Sequence, residues 1–453
     1  MRRPSIVIGL GVAVLVGVTA FLAVHHDTSD AMVRTLMVGQ SPTLIAIDSR
    51  TARAFVLDQG SGARNSGGGI VAGTVRILDT RTGALVRTVP AGTNPDGVAV
   101  DEQTGRAFVL NSYMHNGGQG TVTVLDAWSG QIVRTTPVGD VPLAVDLDAR
   151  AGRVFVLNEP DGAVRPHARY ALVSVLDATS GQLVGGLNPA PGDGQGVGPV
   201  GLALDAPRRR AFLTVGGPRG GAVIDVFDTR DDALVRRVPL SATNGVVTVS
   251  VITGRAFVFA DKQVLVLDPA RGRIIRVIRH PIDGQPIGDE QTGRVFVAEQ
   301  GWNVTTPNAP NWGRTEAGTL HVLDARTAIS VAALPIEWPD GVAVDEHTGQ
   351  LLVSHAGPQR SDGTFMGAGH VDVRDGRTGR LLRDIPVGVE PGAIAVDPRI
   401  GHALVVNEGG AVRVVDAWGW MPTWLRQHIP MLPPPPAPVR QVPSSVSVIT
   451  LNR

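Results

Sequence analysis

The sequence predicts an all-β fold built from a repeated sheet unit, and three observations lead to this prediction. A phenylalanine or leucine inside a segment similar to FVL recurs eight times, at Phe55, Phe108, Phe155, Phe212, Phe257, Phe296, Leu352 and Leu404. An aspartate that ends a segment similar to VLD recurs in step with it, at Asp79, Asp126, Asp177, Asp228, Asp268, Asp324, Asp375 and Asp416. Each repeat also contains four short apolar stretches separated by turn residues, as antiparallel strands do. Four strands in a repeat of roughly 40–57 residues are typical of the blade of a β-propeller.

The second copy shows most clearly the four predicted strands, which are called A to D from the ring axis outward. They cover residues 97–100, 106–110, 121–125 and 131–135. Threonine and valine alternate over 121–124, which gives the period of two expected of a half-buried strand. The segments 101–105 and 126–130 both end in glycine, and this favours tight hairpin turns. The aspartate that ends each C strand is therefore interpreted as a turn residue rather than as an acid or a ligand.

The two ends of the repeat region predict how the ring closes. The region begins with an unpaired D-type strand at 33–38, whereas the last copy supplies A, B and C strands at 393–396, 403–406 and 412–415 but no D strand. We therefore expect the N-terminal strand to complete an eighth blade, because closure removes free sheet edges. A second C-like segment at 444–450 is an alternative to 412–415, which would make the residues between them a long insertion. A seven-bladed ring is the alternative if a weak copy, around 247–267 or 287–322, does not form a blade.

The N-terminus carries the one targeting signal. Arg2 and Arg3 precede an uncharged apolar stretch at 5–24, which is long enough for a transmembrane helix with the N-terminus in the cytoplasm. Removal of a signal segment after Ala31 is the alternative. The predicted organisation is a cytoplasmic stub (1–4), the membrane segment (5–24), a stalk (25–32), an extracytoplasmic propeller (33–416) and a tail rich in tryptophan and proline (417–453).

Composition excludes several kinds of function. The formal net charge is +0, so no long-range attraction to nucleic acid is expected. The chain has 0 cysteines, which excludes disulfides, thiolate metal sites and covalent c-type haem. The histidines show no metal-binding spacing, and no nucleophile elbow or phosphate-binding loop is present. The sequence therefore predicts no metal, no cofactor and no catalytic residue.

The B segments, such as FVLN at 108–111, and the C segments, such as VTVLD at 122–126, resemble the YVTN repeat of bacterial β-propellers. Phenylalanine stands where that family has tyrosine, and leucine or valine stands where it has threonine. The asparagine is kept in three copies, at Asn111, Asn158 and Asn407. The resemblance implies an exported or surface-associated propeller, commonly without known enzymatic activity. Many members of the family have seven blades, so a count of eight departs from that pattern.

Candidate binding residues follow from where the insertions lie. All the long insertions fall between predicted strands B and C, on one face of the ring, and variable loops on a rigid scaffold are a usual place for binding. The richest loop contains Trp302, Trp312 and Arg314, although these side chains are equally suited to folding the loop onto itself. Residues near the axial mouth of the same face complete the candidate set: Asn94, Asp96, Trp338, Asp340 and His355. The tripeptide PDG at 95–97 and 339–341 is also a common turn sequence.

Two functions compete at this point. The first is a non-catalytic, membrane-tethered propeller whose loop face binds another protein or an envelope glycan. The alternative is an exported enzyme, similar to a lactonase or a lyase, with its site at the axial mouth. For that alternative Asp96, Asp340 and His355 are the acids and the base that the sequence offers.

Overall fold

The structure is a computed structural model that describes the propeller strands and most of their turns. The described residues are 33–39, 41–59, 72–112, 119–139, 141–159, 171–188, 199–216, 221–242, 245–250, 252–261, 263–279, 284–289, 292–299, 318–327, 329–336, 339–357, 364–365, 367–413 and 439–451. The predicted membrane segment at 5–24 lies outside them. Over the described ranges, no helix combines the length and the apolar character needed to cross a membrane.

Eight four-stranded antiparallel sheets form the described structure. Blade 1 consists of β2 (Pro42–Asp48), β3 (Arg53–Asp58), β4 (Ala72–Asp79) and β5 (Leu85–Thr93). Blade 2 consists of β6 (Pro95–Asp101), β7 (Arg106–Asn111), β8 (Thr121–Asp126) and β9 (Ile132–Pro137). Blade 3 consists of β10 (Val141–Asp148), β11 (Arg153–Glu159), β12 (Val173–Asp177) and β13 (Leu183–Leu187). Blades 4 and 5 consist of β14 (Pro199–Asp205), β15 (Arg210–Val215), β16 (Val223–Asp228) and β17 (Leu234–Pro239); and of β18 (Val246–Ser250), β19 (Arg255–Ala260), β20 (Gln263–Asp268) and β21 (Arg273–Arg279). A 3-10 turn, Ala206–Arg208, joins β14 to β15.

The remaining blades continue this pattern. Blade 6 consists of β22 (Gly284–Asp289), β23 (Arg294–Glu299), β24 (Gly318–Asp324) and β25 (Ser330–Ile336), and blade 7 of β26 (Pro339–Asp345), β27 (Gln350–His355), β28 (His370–Asp375) and β29 (Leu381–Pro386). Blade 8 contains β30 (Pro391–Asp397), β31 (His402–Asn407), β34 (Ser445–Thr450) and β1 (Val33–Met37). A separate hairpin is formed by β32 (Gly410–Arg413) and β33 (Val439–Val442).

The eight A strands contact one another in an unbroken circle, with β2 of blade 1 against β30 of blade 8. The protein is therefore an eight-bladed β-propeller, as the repeat pattern predicts, and the weak copies at 247–267 and 287–322 both form blades. The predicted closure is also confirmed, because β1 is the outer strand of blade 8 and pairs with β34 from Val33↔Ile449 to Met37↔Ser445.

The C position of blade 8 is occupied by β34 and not by the segment that begins at Val412. Of the two placements left open by the sequence, the prediction of a C strand at 412–415 is wrong for Val412 and Arg413, which pair in the outlying β32–β33 hairpin. The physical reason is burial. A central strand of a blade packs against neighbours on both faces, and β34 offers Val446 and Val448 on one face and Ile449 on the other, all of them buried.

The hydrophobic core consists of layers between adjacent blades. The recurring aromatic or leucine of strand B is fully buried in every blade, at Phe55, Phe108, Phe155, Phe212, Phe257, Phe296, Leu352 and Leu404. Phe108, for example, packs with Val122 and Val124 of its own blade and with Val154 and Val156 of blade 3. The sequence repeat therefore marks the side chain that joins each blade to a neighbour.

The aspartates that end the C strands are turn residues. Asp126 accepts hydrogen bonds from the Ser129 backbone and hydroxyl at 2.8 Å each, and an ion pair with Arg106 at 2.6 Å holds its other oxygen. The hydrogen bond from the Ser129 backbone contributes most to holding the pKa of Asp126 below its ordinary value. Backbone hydrogen bonds from the same turn are also accepted by Asp79, Asp177, Asp228, Asp268, Asp324 and Asp375, whereas Asp416 lies outside the described residues.

The longest connections lie on one face of the ring, as the sequence predicts. B–C connections span 59–71 in blade 1, 300–317 in blade 6, 356–369 in blade 7 and 408–444 in blade 8. In contrast, the A–B turn of blade 2 spans 102–105 and its C–D turn spans 127–131, and both lie on the opposite face. We call the first face the loop face and the second the turn face.

Candidate functional site

A polar seam runs between the blades just below the loop face. In each blade we call three side chains the upper seam. They belong to the residue at the loop-face end of strand B, to the C-strand residue that pairs with it (the first C-strand position) and to the residue two further along strand C (the third position). In blade 2 these are Asn111, Thr121 and Thr123. Asn111 donates hydrogen bonds to the hydroxyls of Thr121 and Thr123 at 3.2 and 3.0 Å, and Thr123 donates to the Ala91 carbonyl of blade 1 at 2.6 Å.

The asparagines that carry the YVTN resemblance are structural members of this seam. Asn158 binds Ser174 at 3.0 Å and accepts a hydrogen bond from the Gly139 backbone, which precedes blade 3. Asn407 likewise binds Ser447 at 3.0 Å and accepts from the Gly388 backbone. Asn158 and Asn407 therefore tie strands B and C of their own blades to the connection from the preceding blade, whereas in blade 2 Asn111 joins strands B and C and Thr123 makes the contact with blade 1. Neutral amides and hydroxyls are sufficient for that task.

Blades 4 and 5 use other side chains at the same register position. In blade 4 the third C-strand position is Asp225, which is 0% exposed and bound by Arg237 through two hydrogen bonds of 2.7 Å. In blade 5 the corresponding pair is apolar, Leu265 and Val277. The seam therefore accepts an ion pair or a pair of aliphatic side chains, provided that its polar groups are matched.

Blade 7 has an upper seam made of ionisable side chains. His355 ends β27 at the position that Asn111 occupies in blade 2, and His370 and Asp372 replace the two threonines. Asp384 lies opposite Asp372 on β29. The His355 Nε2 is 3.3 Å from Asp372 Oδ1, and His370 Nδ1 is 2.8 Å from Asp384 Oδ1. The two imidazole rings stack with centroids 5.6 Å apart.

Arg374 balances part of the charge of this cluster. Its Nε and Nη2 donate to Asp372 Oδ2 at 3.1 and 2.6 Å, so that each oxygen of Asp372 has one partner residue. Burial acts to raise the pKa of Asp372, but hydrogen bonds from His355 and Arg374 outweigh it and hold that pKa below its ordinary value. Asp372 is therefore a carboxylate at neutral pH, with its Oδ1 directed towards His355.

Additional acidic groups surround the cluster. Asp340 lies next to Pro339, the Cα partner of His355. Although the Asp340 side chain keeps contact with solvent, the surrounding protein atoms desolvate it. The nearby charge of Glu408 adds to this effect, so that the pKa of Asp340 rises to about 6.

The B–C connection of blade 7 also contacts the β32–β33 hairpin, because the Phe365 amide donates a hydrogen bond to the Ala411 carbonyl at 2.8 Å.

Asp96 is a second candidate at the axial mouth, in a different part of the ring. It is the extra residue of a β-bulge between Pro95 and Gly97, and bulges commonly redirect a side chain near a functional site. Its Oδ2 accepts a hydrogen bond from Ser112 at 2.9 Å, whereas its buried Oδ1 has no hydrogen-bond partner within the described residues. Burial raises the pKa of Asp96 to about 6.

The raised pKa of Asp96 predicts a pH-dependent stability effect. Because the folded-state pKa of about 6 lies above the ordinary value of 3.8, the fold loses stability as pH rises through 4 to 6 and this carboxyl ionises. The difference between the two pKa values corresponds to at most about 3 kcal/mol of unfolding free energy. We expect Asp96→Asn to raise the free energy of unfolding by about 1–2 kcal/mol at pH 8 and to change it little at pH 4, as measured by urea denaturation.

The matched control for Asp96→Asn is Leu143→Asn, at the corresponding bulge position of blade 3. This control adds the same amide without removing a carboxyl group, so its effect should be independent of pH. An Asp96→Asn effect of equal size at pH 4 and pH 8 would contradict the prediction.

The structure brings only some of the predicted site residues together. His355 and Asp340 lie in one blade, but Asp96 belongs to blade 2, and blades 8 and 1 lie between them. Asp96 and Asp340 are the second residues of their A strands rather than loop residues, and Asn94 precedes β6 with a left-handed φ of 44°. Trp302, Trp312, Arg314 and Trp338 lie outside the described residues.

Sequence reasoning missed His370, Asp372, Arg374 and Asp384 as partners of His355. The signal that could reveal them is the alignment of the eight copies column by column, because no other copy has two histidines at these positions, as this copy has in His355 and His370.

Comparison with solved structures finds the same fold in proteins of very different sequence. “Dihydro-heme d1 dehydrogenase NirN in complex with DHE” aligns over 90% of this chain and 74% of that chain, with 13% identity and a TM-score of 0.54. Kuenenia stuttgartiensis hydrazine synthase aligns over 86% and 96%, with 14% identity and a TM-score of 0.50. BamB from Moraxella catarrhalis aligns over 83% and 96%, with 15% identity and a TM-score of 0.49.

These similarities establish the propeller fold alone, since sequence identity is low throughout. A scan against models of protein families and a search of curated proteins both find no match.

Proposed function

We propose that this protein is a membrane-tethered, extracytoplasmic propeller of the YVTN type, whose loop face binds another protein or an envelope glycan. The observation that carries the proposal is the one-sided distribution of connections on a closed ring. The B–C connection of blade 6 spans 300–317, whereas the turns on the other face keep nearly constant short lengths. A ring whose A strands contact one another all round fixes the strand ends that carry these connections, as a binding face requires.

The roles of the side chains that recur from blade to blade support a scaffold function for the repeat. The recurrent phenylalanines fill the core, the C-strand aspartates hold turns, and Asn111, Asn158 and Asn407 join strands B and C of their blades. None of these repeated side chains needs a ligand to account for its position. The binding residues must then lie in the connections that differ between blades.

The proposal predicts that Trp302 and Trp312 contribute to binding. Large aromatic side chains dominate interface energies, and truncating such an anchor typically costs about 2 kcal/mol or more, which weakens binding roughly thirtyfold. We expect the Trp302→Ala, Trp312→Ala double variant to remain folded and to lose most binding to envelope glycans or envelope proteins, measured with the purified full chain.

Trp128→Ala is the matched control, because Trp128 is 65% exposed in a C–D turn on the turn face. It should bind normally. Loss of binding in this control, or normal binding in the double variant, would place the binding site elsewhere. Unfolding of the double variant would show that the two tryptophans are structural.

A second candidate function is that of an exported hydrolase or lyase, and one observation favours it. Asp340, with a pKa near 6, lies beside His355, and Asp372 orients that histidine as the carboxylate of a general base would. If this function is correct, Asp340→Asn and His355→Asn should each abolish turnover of a lactone or uronate substrate that the parent protein cleaves. If it is not, no such substrate will be cleaved by the parent.

A further inference from the structure

We propose that the upper seam of blade 7, together with Asp384 on the adjacent strand β29, is a divalent transition-metal site with His355, Asp372 and Asp384 as its protein ligands. The potential ligand atoms of these three residues all lie within 4.8 Å of one another. This inference is independent of the ligand bound by the loop face and stands or falls separately from it.

The sheet itself arranges the ligands. Residues 370 and 372 alternate with the core residues Val371 and Val373, so His370 and Asp372 emerge on the same side of β28. Asp384 is the Cα partner of Asp372 across β28 and β29, and His355 is the Cα partner of His370 across β27 and β28. Three adjacent strands therefore deliver the donor groups, and a site held by paired strands is more rigid than one held by loops.

The distances suit a site that contracts when an ion binds. Ligands bound at about 2.0–2.2 Å around one tetrahedral ion lie roughly 3.3–3.6 Å apart. The His355–Asp372 contact of 3.3 Å already has that separation. Asp384 is half exposed and can rotate towards the other two ligands, which leaves the remaining coordination positions to water or to a bound molecule.

The blade-by-blade comparison is a second, independent observation. Blades 2, 3 and 8 link their seams with an asparagine and hydroxyl side chains, which shows that the fold needs no charge at these positions. Blades 1 and 4 each balance an aspartate with an arginine in this region, in the pairs Asp58–Arg76 and Asp225–Arg237. Blade 7 instead places His355, His370 and Asp372 at the seam positions, and Asp384 faces Asp372 from β29. Burying ionisable groups is unfavourable unless they are paired or bind a metal. Arg374 pairs with Asp372, whereas Asp384 contacts the imidazole of His370 and is half exposed to solvent.

The charge and exposure of the cluster suit a cation that arrives from solvent. With neutral imidazoles, the two carboxylates and Arg374 leave one negative charge, and Asp340 and Glu408 lie close by. His370 is 36% exposed and bonds to Asp384, so it can orient that carboxylate as a neighbour of the metal rather than as a ligand. One imidazole with two carboxylates favours Zn²⁺, Co²⁺ or Mn²⁺ over Ca²⁺, which prefers oxygen ligands alone.

The test is titration of the full chain with Co²⁺ and Zn²⁺, followed by calorimetry and by the visible absorption of Co²⁺. We expect one ion per chain. His355→Asn should weaken binding by at least about tenfold. This variant introduces the asparagine that blades 2, 3 and 8 have at the same position, so the same fold already accommodates that residue there. Asp384→Asn changes an exposed side chain and should weaken binding similarly.

His347→Ala is the matched control, because His347 is exposed in the A–B turn of the same blade, on the turn face. It should leave binding unchanged. The proposal is overturned if the parent chain binds no Co²⁺ or Zn²⁺, if the His355→Asn and Asp384→Asn variants bind like the parent, or if His347→Ala removes the binding.

Discussion

A chain that ends at Pro443 is expected to lose the closed ring. The truncation removes β34, the strand that lies between β31 and β1 in blade 8. Val446, Val448, Ile449 and Leu451 are all buried in the layers on the two sides of this blade. At about 1.5–3 kcal/mol for each buried aliphatic side chain, their loss is comparable with the whole stability of a typical domain, about 5–15 kcal/mol.

We expect this shortened chain to aggregate or to unfold without a cooperative transition, as measured by light scattering and thermal denaturation. A chain that ends at Leu451 is the control, and it keeps the hydrogen bond from the Leu451 amide to the Gly401 carbonyl. It should melt like the full chain. Removal of 33–37 should be less damaging than removal of β34, because most of β1 is exposed and its loss frees only one sheet edge. A cooperative monomer ending at Pro443 would contradict the closure argument.

Replacing Arg237 by alanine is expected to reduce the free energy of unfolding by about 3–5 kcal/mol. Arg237 supplies both hydrogen bonds of 2.7 Å to Asp225, whose side chain is 0% exposed. The variant would leave a buried carboxylate without its partner, and desolvation of an unpaired charge is among the largest single-residue penalties in proteins. Chemical denaturation of the parent and the variant measures the difference.

Blade 5 supplies the matched control for this experiment. It carries Leu265 and Val277 at the register positions of Asp225 and Arg237. The double variant Asp225→Leu, Arg237→Val therefore transplants a pair that the same fold already accommodates, and exchanging both members of a buried ion pair for apolar groups is often nearly neutral. We expect the double variant to recover most of the stability lost in Arg237→Ala. A loss below about 1 kcal/mol in the single variant would show that the ion pair behaves like an exposed one.

The strands and their order were predictable because each blade repeats the same local chemistry. A buried phenylalanine, a turn aspartate and a glycine with positive φ, such as Gly105, recur in a fixed order, and each follows from interactions within a few residues or with the next blade. Closure by β1 was predictable by counting strands. The choice between 412–415 and 444–450 was not, since both segments have strand composition and only the packing of blade 8 distinguishes them.

The blade 7 cluster could not be predicted from spacing along the chain. His355, Asp372 and Asp384 come from three strands, and a B–C connection of 14 residues, 356–369, separates the first from the second. Motif searches detect ligands that a single turn or helix brings together. In this protein the register of β27, β28 and β29 brings the residues together, and register is known only once the strands are paired.

The direction of β1 has a consequence for how the protein would be oriented at a bilayer. Val33 pairs with Ile449 near the turn-face end of blade 8, whereas Met37 pairs with Ser445 near the loop-face end, so the chain enters the ring from the turn face. If the segment at 5–24 is a membrane anchor, only the eight residues 25–32 separate it from β1, and they can span at most about 29 Å. We therefore expect the turn face to look towards the lipid headgroups and the loop face to look outward, accessible to molecules that approach from the far side.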